Sequence, residues 1–255
     1  DLILLAGTTG EAPTTHLPEK QALIREVKDA LEGRALLMAG AGSNDTAHAV
    51  RIGVGSQAAG AQALLINAPY YNRPSQEGVY RHIMAVVEAT DLPVMIYDIP
   101  GRTGVRIEDG TLARLAEHPR VLAVKDATGD VEQGFCRMEA TGLEYYSGDD
   151  GLNFAWLAHG ASGMVSVVAH ADAHSWRQMV TEVDAGDLAG ARAVAQRMRP
   201  LVRAMMGGGQ GAVMAKEALL LQGRIPSAAL RLPLVRASQT EVEALRATLA
   251  ACGLL

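Results

Sequence analysis

The sequence is poor in the residues and patterns that mark several common protein classes. Its two cysteines, Cys136 and Cys252, lie outside any CxxC pattern, so we expect a reducing compartment and neither a disulfide framework nor a zinc site. Acidic residues outnumber basic ones by 28 to 23, so no nucleic-acid surface is indicated. No apolar run of about 18 residues and no signal peptide is visible, so we expect a cytoplasmic protein without a membrane partner.

Short apolar segments alternate with longer amphipathic ones over the first two thirds of the chain. Strands are predicted at residues 2–7, 35–40, 63–68, 94–99, 121–127, 144–149 and 163–169. Continuous apolar strands separated by helices predict a parallel sheet covered on both faces. Repeated right-handed βαβ units of this length form either a doubly wound sheet or a (β/α)₈ barrel.

The last third of the chain reads as helices only, predicted at residues 172–185, 187–206, 212–222 and 240–251. Seven strands are one fewer than a barrel needs, and the sequence opens inside a strand. We therefore expect residues 1–170 to form a barrel that lacks its first β/α unit. Residues 171–255 would supply the last barrel helix and a helical extension. The glycine-rich segment 207–211 is predicted to be a flexible connection, since no GK[ST] follows it.

Polar side chains cluster at the carboxyl ends of the predicted strands, where barrel enzymes place their active sites. The candidates, in chain order, are Thr8, Thr9, Tyr71, Tyr97, Arg102, Lys125 and Gly148. Lysine is unexpected in the apolar run VLAVKDA, because burying an unpaired ammonium is costly. The adjacent acid Asp126 is no explanation, since neighbouring strand residues point to opposite faces.

Each candidate also has an ordinary interpretation. Lys125 could extend its ammonium to the rim, Tyr97 could be a core aromatic residue, and Arg102 could be a solvated loop residue. One chemistry would nevertheless use the whole set. A desolvated lysine amine attacks a ketone, and a phenol relayed through a hydroxyl moves the protons. Hydroxyls and backbone N–H groups hold a 2-oxo acid, while an arginine holds a second carboxylate.

A metal or organic cofactor is not predicted. His170 and His174 flank Asp172 at helical spacing, but they lack the HExxH pattern and a third ligand. A covalent imine on Lys125 would supply the electron sink that such a reaction needs.

Six motifs carry a resemblance to a known family: GTTGE, PYYNRPSQEG, YDIPGRTG, VKDATGD, YYSGDD and GASGMVSVVAH, in that order. Together they resemble the pyruvate-dependent class I aldolase family, which includes the N-acetylneuraminate lyases. The resemblance runs from Leu2 to the C-terminus. It implies a (β/α)₈ TIM barrel with a C-terminal helical extension, in which one β/α unit normally precedes GTTGE.

The resemblance also implies roles for individual residues. Lys125 would form the Schiff base with pyruvate. Tyr97 would transfer protons through Thr8 to Tyr71, and Tyr71 would complete the site of a neighbouring subunit in a homo-oligomer, either a dimer or a tetramer.

The substrate contacts follow from the same resemblance. Thr9 would bind the pyruvate carboxylate with help from the backbone near Val167, and Gly148 would lie among the substrate-binding residues. Arg102 would receive the carboxylate of L-aspartate-4-semialdehyde.

The activity implied is condensation of pyruvate with L-aspartate-4-semialdehyde to 4-hydroxy-tetrahydrodipicolinate, a step of lysine and diaminopimelate biosynthesis. One alternative is a sister lyase that acts on a 2-keto-3-deoxy sugar acid or sialic acid, and Arg102 argues against it. Another is a non-catalytic pyruvate-binding barrel, and the set of Lys125, Tyr97 and Thr8 argues against that.

Some relatives of this kind are inhibited by lysine at a cleft between subunits, where an acid receives the ammonium of the ligand. At the matching positions this chain has His48 and Lys20, while Asn44 and Tyr70 are kept. The resemblance therefore predicts that lysine does not inhibit this protein.

Overall fold

The structure, a computed structural model, describes residues 1–208 and 210–255, which separate into two units, Asp1–Tyr146 and Ser147–Leu255. Gly209, inside the predicted flexible connection, lies outside the described residues.

The first unit alternates strands with helices, which confirms the predicted pattern. Its strands are β1 (Leu2–Leu5), β2 (Leu36–Gly40), β3 (Ala63–Asn67), β4 (Val94–Asp98), β5 (Val121–Asp126) and β6 (Glu144–Ser147), which ends at the boundary. The helices are α1 (Leu17–Leu31), α2 (Thr46–Ala59), α3 (Gln76–Glu88), α4 (Pro100–Thr103), α5 (Asp109–Ala116) and α6 (Val131–Thr141). The strands stand in chain order, and each pair from β1 to β5 is parallel.

Burial explains why the strand sequences are so apolar. All five residues of β4 are buried, as are Leu64, Leu65 and Ile66 of β3. Helices pack against strands of this sheet, as is usual for parallel sheets. Three of these helices, α2, α3 and α6, begin at side-chain caps; at α6, Asp130 accepts a hydrogen bond from the N–H of Gln133 at 3.2 Å.

The second unit is mostly helical. It contains α7 (Asn153–Ala158), the short strand β7 (Gly163–Met164), α8 (Ala173–Asp184), α9 (Leu188–Met206), α10 (Gly211–Leu221) and α11 (Gln239–Ala251). The four tail helices predicted from the sequence correspond to α8 to α11. Their shared core includes Trp176, Met179, Met198, Leu201 and Leu245.

Two details of the second unit differ from the expectation. The strand predicted at 163–169 is only two residues long and is followed by a 3₁₀ turn at Val168–His170. The contacts divide the chain after residue 146 and not after residue 170. The reason is that Leu157 and Val168, which precede residue 170, pack in the same core as the C-terminal helices.

Among residues 1–208 and 210–255, no helix combines the length and the apolar character that crossing a membrane requires.

Candidate active site

Lys125 and Tyr97 are direct neighbours on adjacent strands. They are register partners in the parallel pair of β4 and β5, so their side chains leave the sheet on the same face. Lys125 Nζ lies 4.3 Å from the centroid of the Tyr97 ring. Both residues are buried, with 8% and 7% of their surface exposed. A buried amine beside a phenol is an arrangement that can bond covalently to a carbonyl and exchange protons.

The acid that follows Lys125 in sequence serves another purpose, as the strand alternation predicts. Asp126 Oδ1 accepts hydrogen bonds from the backbone N–H of Thr128 at 2.9 Å and from its hydroxyl at 2.8 Å. Asp126 thereby organises the turn that leads from β5 into α6. The N–H of Ala127 donates to the carbonyl of Asp98 at 2.9 Å, which ties the ends of β4 and β5 together.

Asn67 is a third polar residue on this face, and the sequence analysis missed it. It is the register partner of Tyr97 on β3, so Asn67, Tyr97 and Lys125 form a row across three strands. Its side chain passes over Gly42, where an added Cβ would lie 1.7 Å from Asn67 Oδ1. The signal available in the sequence was a polar residue closing the apolar strand ALLIN.

The two threonines lie in the turn after β1. Thr8 is exposed and Thr9 is partly buried, and the carbonyl of Thr8 accepts a hydrogen bond from the N–H of Glu11 at 3.1 Å.

Tyr71 combines high exposure with unusual backbone geometry. The residue is 88% exposed and has a φ of 76°, in the left-handed region that non-glycine residues rarely adopt. Its N–H donates to the carbonyl of Thr103 at 3.2 Å, which fixes the conformation. A strained backbone of this kind costs roughly 1–3 kcal/mol and is typical of functional sites.

Arg102 is exposed on the one-turn helix α4, directly after β4. The helix starts at Pro100, and the N–H of Arg102 donates to the carbonyl of Ile99 at 3.0 Å. Its guanidinium is therefore presented on the loop that follows the strand carrying Tyr97.

The candidates of the second unit are the half-buried residues Gly148, just after β6, and Val167. The N–H of Val167 donates to Asp150 Oδ2 at 2.9 Å, and its carbonyl accepts from the N–H of His170 at 3.2 Å. Both backbone groups of Val167 are thus already engaged inside the protein.

Asp150 is a buried residue that the sequence analysis did not select. Its carboxylate also accepts hydrogen bonds from the Ser166 hydroxyl, the Val168 N–H at 3.0 Å and Asn153 Nδ2 at 3.1 Å. Burial raises the pKa of Asp150, and these donors oppose the rise. The carboxylate shapes the turn at 166–168 and explains why β7 ends early.

The histidine pair considered for a metal has a structural explanation. Asp172, which lies between His170 and His174, caps α8 by accepting from the N–H of Ser175 at 3.0 Å. In the part of the chain that the structure describes, no group of three or more histidine, cysteine or acidic side chains could hold a metal ion.

Comparison with known proteins assigns the chain to a family. A profile of the dihydrodipicolinate synthetase family matches residues 1–252. The 4-hydroxy-tetrahydrodipicolinate synthase of Kineococcus radiotolerans is 49% identical over 254 residues, which cover 100% of this chain and 82% of the relative.

Two solved structures have similar folds. The lysine-bound dihydrodipicolinate synthase of Cyanidioschyzon merolae is 38% identical with a TM-score of 0.95, and the match covers 100% of this chain and 87% of that one. A dihydrodipicolinate synthase variant described as monomeric is 34% identical with the same TM-score, and the match covers 100% and 86%. The chain therefore belongs to the dihydrodipicolinate synthetase family.

Proposed function

We propose that this protein is a lyase that condenses pyruvate with L-aspartate-4-semialdehyde to give 4-hydroxy-tetrahydrodipicolinate, in the synthesis of lysine and diaminopimelate. The observation that carries the proposal is the buried Lys125 amine beside the Tyr97 phenol in a chain of this family. The fold that this function implies is a (β/α)₈ TIM barrel with a C-terminal helical extension.

The neutral Lys125 amine attacks the keto carbon of pyruvate, and loss of water leaves an imine. Loss of a methyl proton converts the imine into an enamine, whose carbon attacks the aldehyde. The amine of the aldehyde substrate then adds to the imine carbon and displaces Lys125. Tyr97, linked through Thr8 and a partner subunit's phenol at the position of Tyr71, carries the protons.

The remaining residues hold the two substrates. Thr9 binds the carboxylate of pyruvate, and Arg102 binds the carboxylate of the semialdehyde. The reaction uses no metal and no organic cofactor, because the imine nitrogen on Lys125 takes up the electron pair that is left when the methyl proton is removed. The protein works in the cytoplasm as a homo-oligomer, a dimer or a tetramer.

The proposal is tested by trapping the imine. The protein is treated with pyruvate and borohydride, digested, and examined by mass spectrometry. The chain has only four lysines, Lys20, Lys28, Lys125 and Lys216, so the modified one is readily assigned. An adduct on Lys125 is expected, and its absence would contradict the imine mechanism. Product formation from a panel of aldehydes then separates the semialdehyde condensation from cleavage of a keto sugar acid.

Arg102→Leu should affect the second substrate selectively. Loss of a charge-assisted contact to a carboxylate weakens binding by about 1.5–3 kcal/mol, or more than tenfold. We expect the KM for L-aspartate-4-semialdehyde to rise by that factor while pyruvate trapping on Lys125 is unchanged. Arg81→Leu is the matched control, because Arg81 pairs with Glu77 on the surface of α3. Equal kinetics in the two variants would contradict the assigned role of Arg102.

L-lysine should not inhibit the enzyme. The Lys20 ammonium is buried and donates to the carbonyls of Ala12 at 2.6 Å and Thr15 at 2.5 Å, so a cation already occupies this position. Glu19 does not supply a free acid, because its carboxylate caps α1 by accepting from the N–H of His16 at 2.9 Å. His48 is an exposed residue of α2.

The measurement is the initial rate against L-lysine at fixed pyruvate. Repulsion from Lys20 and the missing acid should leave the rate unchanged through the millimolar range. Half-inhibition below roughly 1 mM, the weak end of specific binding, would show the prediction to be wrong.

A further inference from the structure

A buried ion pair lies behind the strand ends that carry Tyr97 and Lys125. Asp98 and Asp126 are register partners one residue beyond them, and each is 2% exposed. Because strand residues alternate, both acids face the helices and not the side of the amine. Arg137 of α6, 5% exposed, donates from Nη1 to Asp98 Oδ2 at 3.1 Å.

Asp98 and Arg137 also hold together the two ends of a loop. Asp98 Oδ1 accepts from the N–H of Ile107 at 3.3 Å, and Arg137 Nη2 donates to the carbonyl of Ile107 at 2.9 Å. The chain leaves the sheet after Asp98, and nine residues later both backbone groups of Ile107 are held by the side chains of Asp98 and Arg137. Asp98 and Arg137 therefore fix the two ends of loop 99–107.

This loop carries the substrate-binding candidate Arg102 and contacts a second candidate, Tyr71. Arg102 lies in its middle, and the carbonyl of Thr103 accepts the N–H of the strained residue Tyr71. The Thr103 hydroxyl has one proton to donate and lies 3.1 Å from the carbonyl oxygen of Ile99 and 2.7 Å from that of Val105, so the loop is internally braced. Because the loop is held together internally, it should move as one unit if the contacts of Asp98 and Arg137 at its two ends are lost.

The contacts that hold the two ends of the loop require an arginine and a charged acid. Arg137 also donates from a third nitrogen, Nε, to Asp109 Oδ1 at 2.6 Å. A lysine ammonium could not replace these three donors, because it lacks the planar arrangement of the guanidinium. Burial raises the pKa of Asp98 to about 6, against the hydrogen bonds from Ile107 and Arg137. Above that pH the ionised carboxylate of Asp98 pairs with the guanidinium of Arg137.

We propose that Asp98 and Arg137 are positioning residues that close loop 99–107 and so place Arg102 for the carboxylate of the aldehyde substrate. This inference rests on the proposed function, since it assigns the loop to the second substrate. The two residues lie on the far side of the sheet from the Lys125 amine, so their loss should spare imine formation and weaken aldehyde binding.

The test compares a double variant, which combines Asp98→Asn and Arg137→Met, with the single variant Arg114→Met. Arg137→Met alone would leave the Asp98 carboxylate buried without its guanidinium, whereas the double variant removes both charges of the pair and leaves Asp126, whose carboxylate still accepts two hydrogen bonds from Thr128. Arg114 is the matched control. It lies on the neighbouring helix α5 and forms a surface ion pair with Glu77 of α3 at 2.8 Å. Thermal melting verifies that each variant is folded.

We expect the double variant to raise the KM for L-aspartate-4-semialdehyde about tenfold or more, as for one lost charged contact. The rate of pyruvate-borohydride trapping and the KM for pyruvate should stay within about twofold of the control, since groups on the opposite sheet face are left in place. An unchanged aldehyde KM, or an equal loss in trapping and condensation, would overturn the positioning role.

Hydrogen exchange gives a readout that does not depend on the substrate. Amides in the peptide spanning residues 99–108 should exchange faster in the double variant than in Arg114→Met. Unchanged exchange there would overturn the inference. If the unaltered enzyme forms no product from these substrates, the proposed function fails, and the exchange result alone then decides whether the pair closes the loop.

Discussion

Lys125→Ala should reduce condensation of pyruvate with L-aspartate-4-semialdehyde by about 10⁴-fold or more, because the covalent route disappears with the amine. The residue is 8% exposed in the middle of a parallel sheet, and its Nζ stands over the Tyr97 ring. The variant truncates a buried side chain, so a thermal melt is needed to separate the loss of the amine from a loss of stability.

Two further variants separate chemistry from packing. Lys125→Met keeps the volume of the side-chain stem, so a cavity cannot explain its loss of activity. Lys28→Ala removes an exposed lysine of α1 and should leave the rate unchanged. The measurements are the condensation rate, borohydride trapping with pyruvate and a thermal melt. Pyruvate-dependent inactivation by borohydride that survives in Lys125→Ala would remove this lysine from the mechanism.

Strand periodicity made the central pair predictable from the sequence. The lysine of VLAVKDA cannot share a face with the aspartate that follows it, and in the structure the carboxylate of Asp126 contacts the turn that leads into α6. The register of β4 with β5, which local sequence does not encode, then brings Tyr97 beside Lys125. Periodicity thus predicted that Lys125 and Asp126 lie on opposite faces of the sheet, and the pairing of β4 with β5 set the distance between Lys125 and Tyr97.

Long-range contacts account for the residues that the sequence analysis missed. Arg137 reads as one polar residue among others on α6, yet its guanidinium joins β4, the start of α5 and the backbone of Ile107. Asp150 likewise has the sequence context of an ordinary loop acid, but four donors surround its carboxylate and bend the segment predicted as a longer strand. No local pattern announces such partners, because they come from distant parts of the chain.

Tyr71→Phe should be inactive alone and should regain activity when mixed with the inactive Lys125→Ala protein. The phenol of Tyr71 is 88% exposed and its backbone is strained, which is hard to explain in a chain that works alone. If each site borrows the phenol of a neighbouring subunit, a hybrid dimer has one site with both an intact lysine and an intact phenol. Random exchange of subunits in an equal mixture then gives about a quarter of the full activity, as the symmetry of a two-fold dimer requires.

The control for this experiment is a mixture of Lys125→Ala with Lys125→Met, in which no site can contain the amine. That mixture should stay inactive at every ratio. Native mass spectrometry verifies that hybrids form, because the variants differ in mass. Hybrids without activity, or a fully active monomer in sedimentation, would contradict the shared site. Recovery near one quarter would instead mean that the exposed, strained phenol at position 71 serves the active site of the neighbouring subunit.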